Sequence, residues 1–291
     1  MPTITIGFLG DVVGRPGRAA AVHAARVLRA PIEQGGYACD AIIANAENAA
    51  HGRGLHLDGY RELRGAGLDA ITLGDHWSDK PMIFGLLENP NEPISMPVNA
   101  TPSGSTDVPS AKPFVTIDVT PKDAPTQHVT LCAFTVLCRS FMNRPGEDPF
   151  AAIDETMTRI IGAHPNALVF LETHGEATAE KAGLAWHAAR THPGRIIAIS
   201  GTHTHVQTND ARLLEHAGHA AGFLTDAGMC GSWDGVTGFT VESSIKSLQR
   251  TQGARLQIDD DGAPRACGVV FEIDTASRSA LSARAVQVPC E

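Results

Sequence analysis

Short apolar runs alternate with helix-forming stretches along the first third of the chain. Residues 4–9 are apolar and stop at Gly10-Asp11, which predicts a buried strand. Residues 18–28 are Ala-rich with good helix formers. The pair repeats: 41–44 as a strand ending in Asn45-Ala46-Glu47-Asn48, and 57–66 as a helix that Gly67 would stop. Residues 70–73 predict a third strand, ending in Gly74-Asp75-His76. Pro81 suits the first turn of a helix running to about Leu87. This rhythm predicts a parallel sheet with crossover helices.

The middle changes character. Residues 101–110 are rich in Pro, Ser, Gly and Thr and predict a loop. Residues 114–119 and 128–134 predict a hairpin around Pro121 to Thr126. A helix over 150–161 has Asp148 as N-cap and Pro149 at its first position. Strands over 167–171, 196–199 and 222–224 and a helix over 177–189 follow; beyond Ala254 the pattern offers about three short strands and no clear helix. No repeat or linker divides the chain. The simplest architecture is one α/β domain, residues 1–291, of two layered sheets.

The strand ends carry the chemistry. Successive runs end in Asp11, in Glu47 and Asn48, in Asp75 and His76, in His174, in His203-Thr204-His205 and in Asp226. In open α/β sheets, sites form where strands end. Alone, Asp11 reads more naturally as a turn or cap residue, and His76 as a structural histidine. Together the residues exceed what one zinc ion takes and suit a pair of ions sharing a ligand. In an extended segment His203 and His205 would point the same way. His51, His56 and His187 are unassigned, and the remaining histidines show no such placement.

Composition trims the alternatives. The formal charge is −9, from 23 basic and 32 acidic residues, which argues against a basic surface for long nucleic acids. Six cysteines without CxxC spacing argue against a disulfide framework and suit a reducing cytoplasm. No run approaches the roughly 20 apolar residues that span a bilayer. Gly10-Asp11-Val12-Val13-Gly14-Arg15-Pro16-Gly17 is glycine-rich but is not GxGxxG, and no P-loop motif occurs. Arg15 and Arg18 are open to a substrate phosphate or to solvent.

The motifs Gly10-Asp11-Val12-Val13-Gly14, Asn45-Ala46-Glu47-Asn48-Ala49-Ala50-His51-Gly52, Thr72-Leu73-Gly74-Asp75-His76, His174-Gly175-Glu176-Ala177-Thr178-Ala179-Glu180-Lys181, Gly201-Thr202-His203-Thr204-His205 and Thr225-Asp226-Ala227-Gly228-Met229 resemble the YmdB-like branch of the calcineurin-like metallophosphoesterases. The resemblance implies a four-layer α/β/β/α sandwich and two metal ions, iron or manganese before zinc or magnesium. It implies hydrolysis of small phosphodiesters, 2′,3′- and 3′,5′-cyclic nucleotides, by a hydroxide shared between the ions. Asp11, Glu47, Asn48 and His205 match the ligands of one ion. Glu47, Asp75, His174 and His203 match those of the other, with Glu47 bridging. His76 matches the catalytic histidine, the general acid for the leaving oxygen. This sequence departs from the family pattern at Asp75, where the family has Asn, at Glu172-Thr173 in place of Asp-Phe, and at Gly175 in place of Ala. A metal-binding regulatory protein with weak turnover and a phosphomonoesterase or nucleotidase of the same superfamily stand as alternatives. Assembly into a homo-oligomer is left open.

Overall fold

The computed structural model describes residues 2–101, 110–122 and 124–290. In chain order its elements are β1 (Thr3–Leu9), β2 (Asp11–Val12), α1 (Gly14–Arg29), β3 (Ala41–Asn45), α2 (Leu57–Gly65), β4 (Ala70–Thr72), α3 (Phe84–Glu88), β5 (Ile94–Ser95), β6 (Val115–Val119) and β7 (Val129–Leu137). Then come α4 (Pro149–Ala163), β8 (Leu168–His174), α5 (Thr178–Thr191), β9 (Ile196–Thr202), β10 (Arg212–His216), β11 (His219–Leu224), β12 (Met229–Ser232), α6 (Val241–Leu248), β13 (Pro264–Asp274) and β14 (Ser279–Pro289).

Among the described residues these form two mixed sheets. One runs β2-β12-β13-β1-β3-β4-β5 with β14 on β13, and the other runs β10-β11-β9-β8-β7-β6. Each contains four parallel neighbours, β1-β3-β4-β5 and β7-β8-β9-β11. Parallel strands covered on both faces read as continuous apolar runs, which is why the early strands stood out in the sequence. Successive side chains of β1 point to opposite faces: Ile4, Ile6 and Phe8 join the cluster that includes Phe170 of β8, whereas Leu9 joins the one beneath α1 and α2. Phe8 and Phe170 meet across the sheets with ring centroids 4.7 Å apart. A third cluster lies between the second sheet and α4 and α5.

Several elements depart from the sequence expectations. α1 starts at Gly14, not Arg18, because its glycine-rich first turn packs tightly. A Cβ on Gly17 would sit 2.3 Å from the carbonyl oxygen of Cys230. Pro81 opens a 3-10 turn, and α3 follows it as a separate short helix. β7, β8 and β9 each run three residues beyond their expected ends, carrying polar residues into the sheet. The tail forms a hairpin of two 11-residue strands instead of three short ones, closed by the Asp274 side chain on the turn. β2, β5, β10, β12 and α6 were not expected. The hairpin β6–β7 and the Asp148 cap of α4 are as expected. Of the expected loop over 101–110, residues 102–109 lie outside the described residues. All six cysteines are unpaired, and no described helix is long and apolar enough to cross a membrane.

Candidate metal centre

The carboxyl ends of β3, β4, β8 and β9 meet at one edge of the two sheets. Glu47 and Asn48 lie just past β3, Asp75 and His76 just past β4, His174 ends β8, and His203 follows β9. Ligand atoms of Glu47, Asp75, His174 and His203 all lie within 4.8 Å of one another. His174 Nε2 is 3.1 Å from Asp75 Oδ1 and 3.3 Å from Glu47 Oε1. His203 Nδ1 is 3.1 Å from His174 Nε2 and 3.4 Å from Asp75 Oδ1. Gly74 makes this approach feasible, since a Cβ there would lie 2.3 Å from both Glu47 Oε2 and His174 Cε1.

Asp11, Asn48 and His205 lie beside these four residues. Asn48 Nδ2 donates to Glu47 Oε1 at 3.1 Å and lies 3.2 Å from His205 Nε2. His205 Nε2 is 4.0 Å from Asp11 Oδ1. Asp11 Oδ2 accepts from the His203 N–H at 3.0 Å, while Oδ1 is buried without a partner. His76 donates its backbone N–H to Glu47 Oε2 at 2.9 Å. Its ring lines a cavity of about 200 Å³ shared with Glu47, His203 and His205. Asp11, Glu47, Asn48, Asp75, His76, His174, His203 and His205 therefore lie close together, whereas Asp226, also at a predicted strand end, is engaged elsewhere. The two histidines after β9 arrive there by a different route from the one expected. The segment is not extended: His203 and His205 have φ of 99° and 62°. Side chains other than glycine pay for that conformation in strain, and such strain clusters at functional sites.

Charge explains why this set fits a cation. Asp11, Glu47 and Asp75 are all buried, and an unpaired buried carboxylate is costly. Burial opposes ionisation of Asp75 and Glu47, yet both are held below the usual carboxylate range. Hydrogen bonds from His174 and His203 do this for Asp75, and the charge of His174 does it for Glu47. Burial likewise opposes a charged His174, but Glu47, Asp75 and Asp11 hold it well above its ordinary value. The set thus favours positive charge at its centre, and Asp11 Oδ1, buried without a hydrogen-bond partner, adds to that demand. Oxygen and imidazole donors without thiolate suit manganese, iron or zinc better than copper.

The sequence model of the family described as YmdB-like protein matches residues 8–286. The chain belongs to this family. A Bacillus subtilis (strain 168) member, named 2′,3′-cyclic-nucleotide 2′-phosphodiesterase, is 34% identical over 275 residues, 94% of this chain and 93% of that one. A hypothetical protein of Thermus thermophilus has a crystal structure matching with TM-score 0.79 at 31% identity, over 99% of this chain and 100% of that chain. A Mycoplasma pneumoniae structure described as a novel phosphatase matches with TM-score 0.80 at 26% identity, over 99% and 94%.

Around these YmdB-like motifs stand residues that sequence reasoning missed. Thr202 Oγ1 donates to Glu172 Oε1 at 2.5 Å, so it accepts from Nδ1 of His174 at 2.8 Å, leaving Nε2 to face the cluster. Glu172 is buried, which pushes its carboxyl up; Asn45 and Thr135 also donate to it. Asp79 Oδ2 lies 3.1 Å from His76 Nδ1, without hydrogen-bond alignment, and its other oxygen meets Arg144 at 2.5 Å. Asp226, expected at the site, instead pairs with the fully buried Lys181 at 2.6 Å. Burial still pushes Asp226 up to about 6, against the pull of Lys181. The sequence motifs contained Lys181 and Thr202, Glu172 stood out as a departure from the family pattern, and Asp79 follows His76 by three positions; the sequence assigned none of them a role at the site. His56, unassigned from the sequence, caps α2 by accepting from Gly59 N. His187 shares Asp154 with His192.

Proposed function

We propose that the chain is a metal-dependent phosphodiesterase that hydrolyses cyclic nucleotides, 2′,3′-cyclic and 3′,5′-cyclic. The observation that carries the reading is the convergence of Glu47, Asp75, His174 and His203 within 4.8 Å, beside the ring of His76. The name of the Bacillus subtilis relative supports the substrate class.

Two ions complete the reading, with iron or manganese preferred. Asp11, Glu47, Asn48 and His205 would hold one, and Glu47, Asp75, His174 and His203 the other. Asn48 turns its amide nitrogen to Glu47 and His205, so ligation requires the amide to present its oxygen instead. Bound ions would supply a water-derived nucleophile at neutral pH and offset the phosphoryl charge. His76 would give a proton to the leaving oxygen, which departs poorly as an alkoxide. Asp79, itself held by Arg144, lies beside Nδ1 of the His76 ring.

The four-layer α/β/β/α arrangement belongs to the same reading, supported by the three apolar clusters between and outside the sheets. So does a single domain over 1–291, supported by the pairing of β1 with β13. The test is metal analysis of protein purified without added metal, then assays on cyclic nucleotides, bis-p-nitrophenyl phosphate and p-nitrophenyl phosphate. We expect two ions per chain and turnover of both diesters above the monoester. Preference for the monoester points to a phosphomonoesterase. Metal without turnover points to a regulatory protein.

A further inference from the structure

The cavity beside the metal centre has a second wall, built from Phe239, Leu256 and Arg53. None of these is a metal-ligating residue type. Leu256 is 50% exposed, and Phe239 is half-buried. Apolar surface left in water beside a charged cluster is a site in want of a flat apolar group.

Backbone contacts register this wall against the cluster. Phe239 sits in a turn closed by Val236 N–H to Phe239 O at 2.8 Å and Phe239 N–H to Val236 O at 3.0 Å. Inside that turn, the Thr237 carbonyl accepts from Nδ1 of His205 at 2.9 Å, leaving Nε2 of His205 facing Asn48 and Asp11. On the other side the Phe239 ring rests on Gly52, where a Cβ would lie 3.0 Å from Cε1. Gly52 in turn donates its N–H to the Asn48 carbonyl at 3.1 Å. The aromatic ring is therefore fixed relative to two residues of the cluster, Asn48 and His205.

We propose that Phe239, Leu256 and Arg53 form a nucleoside subsite. The base lies against Phe239 and Leu256, Arg53 meets the polar edge of the nucleoside, and the phosphodiester reaches the cluster. This rests on the phosphodiesterase reading and deepens it. The cluster and His76 act on the phosphodiester itself; the second wall selects diesters that carry a base. At about 200 Å³ the cavity is smaller than the roughly 300–1,000 Å³ of drug-sized sites, which suits a small ligand such as a single nucleoside.

The test compares adenosine 2′,3′-cyclic phosphate with methyl ribofuranoside 2′,3′-cyclic phosphate, which has the same reacting ring and no base. With metal-loaded protein, the parent should prefer the nucleotide through a lower KM. Phe239→Ala should lose about 5- to 100-fold more kcat/KM on the nucleotide than on the base-less ring, the range a base–aromatic stack is worth, and Phe239→Trp should restore the preference. Leu256→Ala, at an exposed position, serves if Phe239→Ala does not fold. A parent without preference, or equal losses on both substrates, overturns the subsite. If the parent hydrolyses neither substrate, the phosphodiesterase reading fails. Binding then decides the subsite: adenosine monophosphate must bind the metal-loaded protein more tightly than ribose phosphate, with the advantage lost in Phe239→Ala. Equal binding overturns it.

Discussion

At the scale of single residues, the proposed reading gives the neighbours His76 and Asp75 separable jobs. The contact of His76 with Glu47 is made by the backbone N–H, which an alanine keeps. His76→Ala should therefore retain full metal content and lose turnover by roughly 10²–10⁴-fold, the usual worth of a general acid. The loss should shrink on bis-p-nitrophenyl phosphate, whose leaving group departs without a proton. Equal losses on activated and cyclic-nucleotide substrates, with metal retained, would remove the acid role. Asp75 adds a carboxylate where the resemblance leads one to expect Asn. Arg144 does not pair with that carboxylate: it meets the Asp75 carbonyl oxygen, at 3.1 Å, and the Asp79 carboxylate. Asp75→Asn should lower KM for a phosphodiester and loosen one ion, since less negative charge faces both the substrate and the metal. Kinetics and a metal titration at matched occupancy check this; an unchanged KM counts against the charge argument.

At the scale of elements, β8 and β9 do more than carry ligands. Each extends past its apolar stretch so that Glu172, His174 and Thr202 stand side by side, buried at the end of the inter-sheet core. The Glu172–Thr202–His174 chain fixes which imidazole nitrogen faces the cluster. Thr202→Val keeps the shape and removes the hydroxyl; metal affinity should fall about 10–100-fold, and Thr202→Ser should keep most of it. Isothermal titration with Mn²⁺ reads both, and parent-like affinity in the valine variant would show the relay to be idle. These pairings also mark where sequence reading stops. The strand–helix alternation was legible because buried parallel strands are apolar throughout, and the candidate ligands were legible because they lie at the ends of those strands. Asn45 and Glu172 are 127 positions apart, and no local pattern links them. The spacing of His203 and His205 was legible, but an extended segment was the wrong cause, since both residues have positive φ. α1 was started late because glycine reads as loop, whereas Gly17 is demanded by the nearby Cys230 carbonyl.

At the scale of the whole molecule, the site is a seam. Glu47 and Asp75 come from loops of the first sheet, and His174 and His203 from the second. An ion held between them ties the sheets together and replaces protons shared among buried carboxylates and histidines. Anything that binds only the folded state stabilises it, by about 2.7 kcal/mol at 100 times Kd. For a chain of this size that corresponds to a rise in Tm on the order of 5 °C. Thermal unfolding with and without Mn²⁺ should show this rise in a single transition, because β1 and β13 join the two ends of the chain in one sheet. Two transitions would instead mean that the sheets unfold separately. The proton count gives an independent check. His174 is held above its ordinary value by Glu47 and Asp75, which favours a proton on the ring that competes with a metal ion. Binding should therefore release protons and weaken as pH falls, since acid keeps His174 charged and then protonates the carboxylates as well. Calorimetric titration in buffers of different ionisation enthalpy measures the release directly. A heat independent of the buffer, with the Tm rise intact, would mean that the ion binds without displacing the His174 proton and so lies outside this seam.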